Sequence, residues 1–316
     1  MNDNETEETL LLKEDYWKKD GIILGVDVGT TLIKMSIARR NIITFKMFNK
    51  EEFQSLKNFL ETLKGDIIKC SGCGISIRSY KKIFEHTLNI EMNINDNELT
   101  TLAKGLYFMS KNVDKPLFIY DDKRINNIPI QNVMIASFGS SGQFLKVGND
   151  VNDIKMLAAS GEGGSSFLGL SRLISQMSNL NHLEAIKMAT SGDNWKVDLC
   201  IKDLHKHFDK LCELEMDSYQ IKETTYNYGN YSGSLLSSKF GKVSLDIVDI
   251  KDIKTEDVVS SILHSTVSNN TRMMYLAAKT EDIKVAYVCG NFMTYNPIRR
   301  ICLKTVNQCQ GFFKVL

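Results

Sequence analysis

Apolar and polar positions in the opening third of the chain switch between a period of two and a period near 3.6. Ile22, Ile23 and Leu24 form a short apolar run, Gly25 to Thr31 is small and polar, and Leu32 to Ile37 is apolar again with Lys34 set inside it. That pattern predicts a β-hairpin with Asp27 at its bend. Arg39 to Phe48 reads as a further strand with a turn at Arg40 and Asn41. Lys50 to Leu63 predicts a helix, because Phe53, Leu56, Phe59, Leu60 and Leu63 fall on one face. Asp66 to Cys70 is a short strand that runs into a small-residue turn, Ser71 to Gly74. Asn97 to Met109 predicts a second amphipathic helix, with Leu99, Leu102, Leu106 and Met109 in register. Together these elements make a mixed α/β lobe.

Lys111 to Asn132 is polar and irregular and carries Pro116 and Pro129, so the boundary between two lobes is expected there. Residues 1–18 are expected to be a disordered acidic amino terminus, 19–130 an amino-terminal lobe and 131–316 a carboxy-terminal lobe. The second lobe opens as the first did: strand Asn132 to Ala136, small turn Ser137 to Gly142, strand Gln143 to Val147. A repeated strand-turn-strand suggests a duplicated lobe gripping one ligand, although Gly/Ser turns also join strands without any ligand. Further on, the glycine-rich loop Ser160 to Ser166 leads into a helix near Phe167, whose first amides would point at the loop. Helices are expected over Leu183 to Thr190, Val197 to Leu214, Thr255 to Lys279 and Pro297 to Gln310, with a buried strand at Lys284 to Val288. The tyrosine-rich stretch Glu215 to Tyr231 suggests no chemistry.

At the first bend, Asp27 can hold Mg²⁺ or its water, Gly29 lets backbone approach an anion, and Thr30 and Thr31 can donate to phosphate oxygens. The same residues also suit an ordinary Asp/Gly hairpin turn. Composition narrows the choices only slightly. A chain of 316 residues, 43% hydrophobic and 24% charged with a net charge of +1, is an ordinary globular protein with no nucleic-acid or membrane surface implied. No apolar run nears the roughly 18 residues of a membrane span, and Met1 to Glu8 is acidic where a signal peptide is basic. A cytoplasmic protein is expected. The 7 cysteines fit reduced thiols, and the single pair Cys70 and Cys73 lacks the second pair or the spaced histidines that zinc needs; His205 and His207 have no cysteine pair beside them.

Seven segments, in order, resemble the type II pantothenate kinases of eukaryotes, which belong to the actin-like kinases. They are GVDVGTTLIK (25–34), SFGSSGQFLKV (137–147), GGSSFLGLSRLI (163–174), MATSGDNWKVD (188–198), SSKFGKV (237–243), VSNN (267–270) and VAYVCGNF (285–292). The resemblance implies an α/β fold of two actin-like, duplicated RNase H-like lobes around a cleft, and ATP- and Mg²⁺-dependent phosphorylation of pantothenate in coenzyme A synthesis. It also implies a homodimer inhibited by acyl-coenzyme A. ATP would be held by Asp27, Gly29, Thr30, Thr31, Lys34, Ser137, Gly139, Ser140, Gly290 and Asn291, with Asp27 as the metal ligand. Pantothenate would lie by Ser140, Gln143, Lys155, Gly163, Gly164 and Ser165.

The departures from the family pattern are as informative. Where the family has a catalytic glutamate shortly after the glycine turn, Ser79 to Lys82 stands here, and the nearest following carboxylate is Glu85. Gln143 replaces a family serine. The family's ligand-pairing arginine falls at Lys155 or Met156, and lysine there keeps the charge without the bidentate fork. The chain also stops soon after Phe312, before the family's closing turn and helix. Two readings therefore stand: a pantothenate kinase of reduced activity, or a pseudokinase that binds acyl-coenzyme A, nucleotide or a partner subunit.

Overall fold

The computed structural model describes residues 8–13, 20–95, 97–113, 117–118, 124–125, 131–150, 152–203, 207, 236–309 and 314–315. The tyrosine-rich stretch, most of the expected boundary and most of the helix expected over Val197 to Leu214 lie outside them.

Two sheets carry the chain. In the first, β2 (Ile22–Val28), β3 (Leu32–Arg39) and β4 (Ile42–Asn49) are successive antiparallel strands, the alternation of their side chains sending Leu24, Val26 and Val28 inward. After helix α1 (Phe53–Leu63), β5 (Ile67–Cys73) joins β2 in parallel. After α2 (Ile77–Leu88), β6 (Met92–Ile94) joins β5 in parallel. Strand β1 (Glu8–Leu11) pairs with the outer edge of β4, so part of the stretch expected to be a disordered tail is a strand. The order is β1-β4-β3-β2-β5-β6.

The second sheet repeats this connectivity. β9 (Val133–Phe138), β10 (Gly142–Val147) and β11 (Ile154–Ser160) are successive antiparallel strands, and β14 (Val285–Cys289) and β15 (Lys314–Val315) add in parallel on the far side of β9. The order β11-β10-β9-β14-β15 matches β4-β3-β2-β5-β6 strand for strand. This is a duplicated RNase H-like unit, the two-lobed actin-like kinase fold. Two short ribbons, β7 (Leu117–Phe118) with β8 (Arg124–Ile125) and β12 (Leu199–Cys200) with β13 (Leu236–Ser238), stand apart from the main sheets.

Each sheet buries one face under helices. In the first lobe, Leu56 and Leu60 of α1 and Phe84 and Leu88 of α2 close over Leu24, Val28, Ile33 and Met35. In the second, α4 (Gly164–Ser175), α5 (His182–Ser191), the long helix Thr255–Thr280 and the closing helix Asn296–Gln308 cover Met134, Ala136 and Ala286. Val259, Ile262 and Leu263 of the long helix lie in this core. Helix α3 (Glu98–Asn112) has two partners. Its Leu99, Leu102, Ala103 and Leu106 cover the opposite face of the second sheet, whereas Phe108 and Met109 pack with Ala38 and Ile43 of the first. It is therefore the element that lies between the sheets. Among the described residues no helix is long and apolar enough to cross a membrane.

Candidate functional site

The first loop is built by cross-strand pairing. The Gly29 amide donates to the Leu32 carbonyl at 3.0 Å, closing the turn that carries Thr30 and Thr31. Asp27 and Lys34 are direct register partners, and Lys34 Nζ donates to Asp27 Oδ2 at 2.8 Å. The other oxygen, Oδ1, is buried without a hydrogen-bond partner. Gly74 forms the wall beside it. Its φ of +100° suits glycine, and a Cβ there would stand 2.5 Å from the Val28 carbonyl oxygen and 2.6 Å from Asp27 Oδ1. Gly74→Ala is accordingly expected to cost about 1–3 kcal/mol through backbone strain and to displace Asp27. Thermal unfolding checks this: the variant should melt lower than the wild type. Cys73, the register partner of Asp27 on β5, is pushed up to about 12 by burial and by the Asp27 and Glu98 charges, with Lys34 opposing.

The second loop rests on the start of α4. The Gly164 amide donates to the Gly139 carbonyl at 2.9 Å, and the Ser165 amide to the Ser140 carbonyl at 3.3 Å. Gly163 has no room for a side chain, since a Cβ would lie 2.6 Å from the Ser140 carbonyl oxygen. Two helix-start amides expected to await a ligand are thus spent on bracing the loop. Gly290, with φ +107°, packs directly on Phe138, and Asn291 opens the short 3-10 turn Asn291–Thr294 behind it. Cys289, before that turn, is pushed up to about 11 by burial, against a Ser137 hydrogen bond and the Lys34 charge. The two loops meet: Thr30 Oγ1 and Ser140 Oγ are 2.6 Å apart across 110 residues of sequence. Asp27, Thr30, Lys34, Ser137, Ser140 and the Gly290 turn therefore line one place between the lobes.

Other expected residues fall elsewhere. Ser79 to Lys82 lie in α2, where the Ser79 amide donates to Ser76 and Lys81 pairs with Glu85 at 3.5 Å. Glu85 also accepts from the Met92 amide at 3.0 Å, which ties it to the start of β6 and away from the loop. Gln143 is in β10 opposite Ala159. Lys155 pairs with Glu281 at 2.8 Å, four register pairs along β10 and β11 from the loop end at Gly142 and Ser160, about 13 Å away. It lines a cavity of about 510 Å³ with Asn269, Arg272, Met273 and Leu276 instead of facing the loops.

Two residues escape a reading by local pattern. Asn270, buried within the long helix, donates to the Glu162 carbonyl at 3.0 Å and presses its Oδ1 toward Gly142, fixing both glycine-rich segments at once. Glu98, first in α3, has Asp27, Lys34 and Cys73 as electrostatic neighbours. The only local signals were an Asn-Asn pair inside a helix and an Asn-Glu helix start. Among the described residues no group of three His, Cys, Asp or Glu side chains is placed to hold a metal ion.

The family model described as Fumble matches residues 28–313. The chain is 24% identical over 232 residues to Pantothenate kinase 2 of Oryza sativa subsp. japonica, a match covering 72% of this chain but only 23% of that protein. It is 20% identical over 283 residues to the Type II pantothenate kinase of Oceanobacillus iheyensis, covering 89% of this chain and 88% of that one. A glucokinase structure from Balamuthia mandrillaris in complex with glucose aligns at 9% identity and a TM-score of 0.44, over 93% of this chain and 86% of that one.

Proposed function

The chain belongs to the Fumble family, the type II pantothenate kinases, as a divergent member, and on that premise we propose that it transfers the terminal phosphate of ATP to pantothenate. The product is 4′-phosphopantothenate, for coenzyme A synthesis. The observation that carries this reading is the meeting of the two loops at Thr30 and Ser140. Phosphoryl transfer depends chiefly on holding phosphate and acceptor in line and on stabilising charge, and two hydroxyl-rich loops that touch across a cleft suit the first task. Lys34 supplies positive charge, and Gly29, Thr31, Gly139 and the Gly290 to Asn291 turn supply close backbone approach. Asp27 suits Mg²⁺: its buried, unpartnered Oδ1 is an oxygen ligand in wait, and this cation takes most of its remaining oxygens from phosphates and water. When bound, the ion neutralises charge on the phosphates. Arg272, beside Lys155 in the neighbouring cavity, offers a cation for a carboxylate such as that of pantothenate.

The pseudokinase alternative is favoured by one observation, the absence of a carboxylate from Ser79 to Lys82. Purified protein with ATP, Mg²⁺ and pantothenate decides between them. Formation of ADP and phosphopantothenate in equal amounts is the expected result; no turnover together with tight acyl-coenzyme A binding would establish the alternative. We further propose a homodimer formed through the carboxy-terminal lobe. Val259, Ile262 and Leu263 near the start of the long helix are core residues and Val258 packs against that core, so the dimer would use outward positions of the helix such as the exposed Leu276. Sedimentation at micromolar concentration tests this, and a monomer there would refute it.

A further inference from the structure

The reaction proposed above still requires a group to take the proton of the attacking alcohol. Ser79 cannot do so as a carboxylate, and Glu85 is committed to the Met92 amide and Lys81. Strand register leads to another candidate. β5 lies between β2 and β6, with Asp27 opposite Cys73 and Gly72 opposite Ile94. The Asn95 amide donates to the Gly72 carbonyl at 2.8 Å, extending that pairing one residue further. Asn97 then caps α3 by accepting from the Thr100 amide at 2.9 Å, and Glu98 is the first residue of the helix. Two strand spacings set the Asn95 backbone roughly 10 Å from that of Asp27, at the same end of the sheet, and Glu98 follows three residues on.

Helix α3 packs on both sheets, so its start opens where the lobes meet. Glu98 is exposed, and among the described residues its carboxylate has no hydrogen bond or ion pair. The charged and titratable groups facing it are Asp27 on β2, Lys34 on β3 and Cys73 on β5. Although the side chain stays open to solvent, the hydration it loses to neighbouring groups lifts its carboxyl above the ordinary range, the Asp27 charge adds to this and Lys34 opposes it. A carboxylate lifted in this way holds a transferred proton better than an ordinary one.

We propose that Glu98 is the catalytic proton acceptor of this chain, an assignment that rests on the phosphotransfer reading above. The hydroxyl proton passes to a Glu98 carboxylate oxygen while the alcohol oxygen forms its bond to the terminal phosphorus of ATP. The bond from that phosphorus to the bridging oxygen breaks, and ADP leaves with the electron pair. The base that the family keeps just after the glycine turn has thus been replaced from the next helix, α3, which packs on the opposite face of the first sheet from α2.

Steady-state kinetics of wild type, Glu98→Gln and Glu98→Asp with ATP and pantothenate test the assignment. Glu98→Gln is expected to lower kcat about 10² to 10⁴-fold with little change in KM for MgATP, and Glu98→Asp to recover part of the loss. Wild-type kcat should fall on the acid side as Glu98 is protonated, and that limb should vanish from the residual activity of Glu98→Gln. An active wild type whose Glu98→Gln variant keeps its kcat, or keeps the acid limb, overturns the assignment alone. So does a variant rescued by raising Mg²⁺, which would make Glu98 a metal residue. An independent readout is alkylation of Cys73 followed by peptide mass spectrometry. Removing the neighbouring charge should quicken it in Glu98→Gln, and an unchanged rate contradicts the placement. A wild type inactive on pantothenate refutes the parent reading and the assignment with it, whatever the thiol shows.

Discussion

Asp27→Asn is expected to lower kcat/KM for MgATP by at least about 10²-fold, some 2.7 kcal/mol of transition-state stabilisation, while leaving the fold intact. The carboxylate has two oxygens with different duties. Oδ2 accepts from Lys34 at 2.8 Å, and Oδ1 is buried and unpartnered against Gly74. An amide removes the charge a cation needs, and it puts an NH₂ group either against the Lys34 ammonium or into the Oδ1 position. Stability should change little. With Lys34 and Asp27 side chains 43% and 28% exposed, their pair contributes at most about 1 kcal/mol. Titration calorimetry with MgATP, run beside thermal unfolding of both proteins, separates the two effects. MgATP affinity equal to that of the wild type would remove Asp27 from the site.

Asp198→Ala has the largest expected effect on stability, about 3–5 kcal/mol. The Asp198 carboxylate is fully buried and accepts from Asn194 Nδ2 at 2.8 Å, Lys239 Nζ at 2.7 Å, the Phe240 amide at 3.1 Å and Ser261 Oγ. It ties the chain after α5, the turn at 239–240 and the long helix into one unit. Truncation leaves the Lys239 ammonium, itself mostly buried, without its Asp198 counter-charge. The melting temperature should fall by roughly 6 °C or more. The double variant Asp198→Leu with Lys239→Met should recover part of the loss, since it removes the stranded charge. If the double variant melts no higher than the single one, packing and not charge holds this joint.

His264, on the long helix near this cluster, adds a pH dependence. Burial lowers it to about 4, the Lys239 and Lys304 charges helping and Asp198 opposing. Its folded value lies below the ordinary 6.5 of an unfolded chain, so between those values the unfolded state binds the extra proton. Stability should therefore decline as pH falls from about 6.5 toward 4, and His264→Gln should flatten that slope in a pH series of unfolding curves.

Periodicity within the chain located most elements closely. The stripe from Phe53 to Leu63 is helix α1, because one face repeats every three to four residues, and Thr255 to Lys279, marked by its Thr-Glu-Asp start, became Thr255–Thr280. The two hairpins were equally plain, since small polar turns between apolar runs leave the backbone few alternatives. The pattern misled where partners are remote. Glu8 to Leu11 is short and follows an acidic run, and only the free edge of β4, more than thirty residues on, makes it a strand. The segment from Val197 reads as a helix, yet its described part opens by burying Asp198, whose partners lie at 239, 240 and 261, and passes through the strand Leu199–Cys200.

The site divides along the same line. Asp27, Gly29 and Lys34 were legible because a hairpin turn is local: its register is settled within ten residues, and a carboxylate facing a lysine across it follows from that register. That Thr30 touches Ser140, that Lys155 is spent on Glu281, and that the Asp27 charge acts on Glu98 were not legible. These depend on how two separately formed sheets pack around α3, and Coulomb and hydrogen-bond energies follow distance in space, not separation along the chain. The sequence by itself determined which segments fold into two like lobes and which loop carries the acid. Only the tertiary structure decided which second carboxylate feels its charge, because that is set by how α3 packs against both sheets.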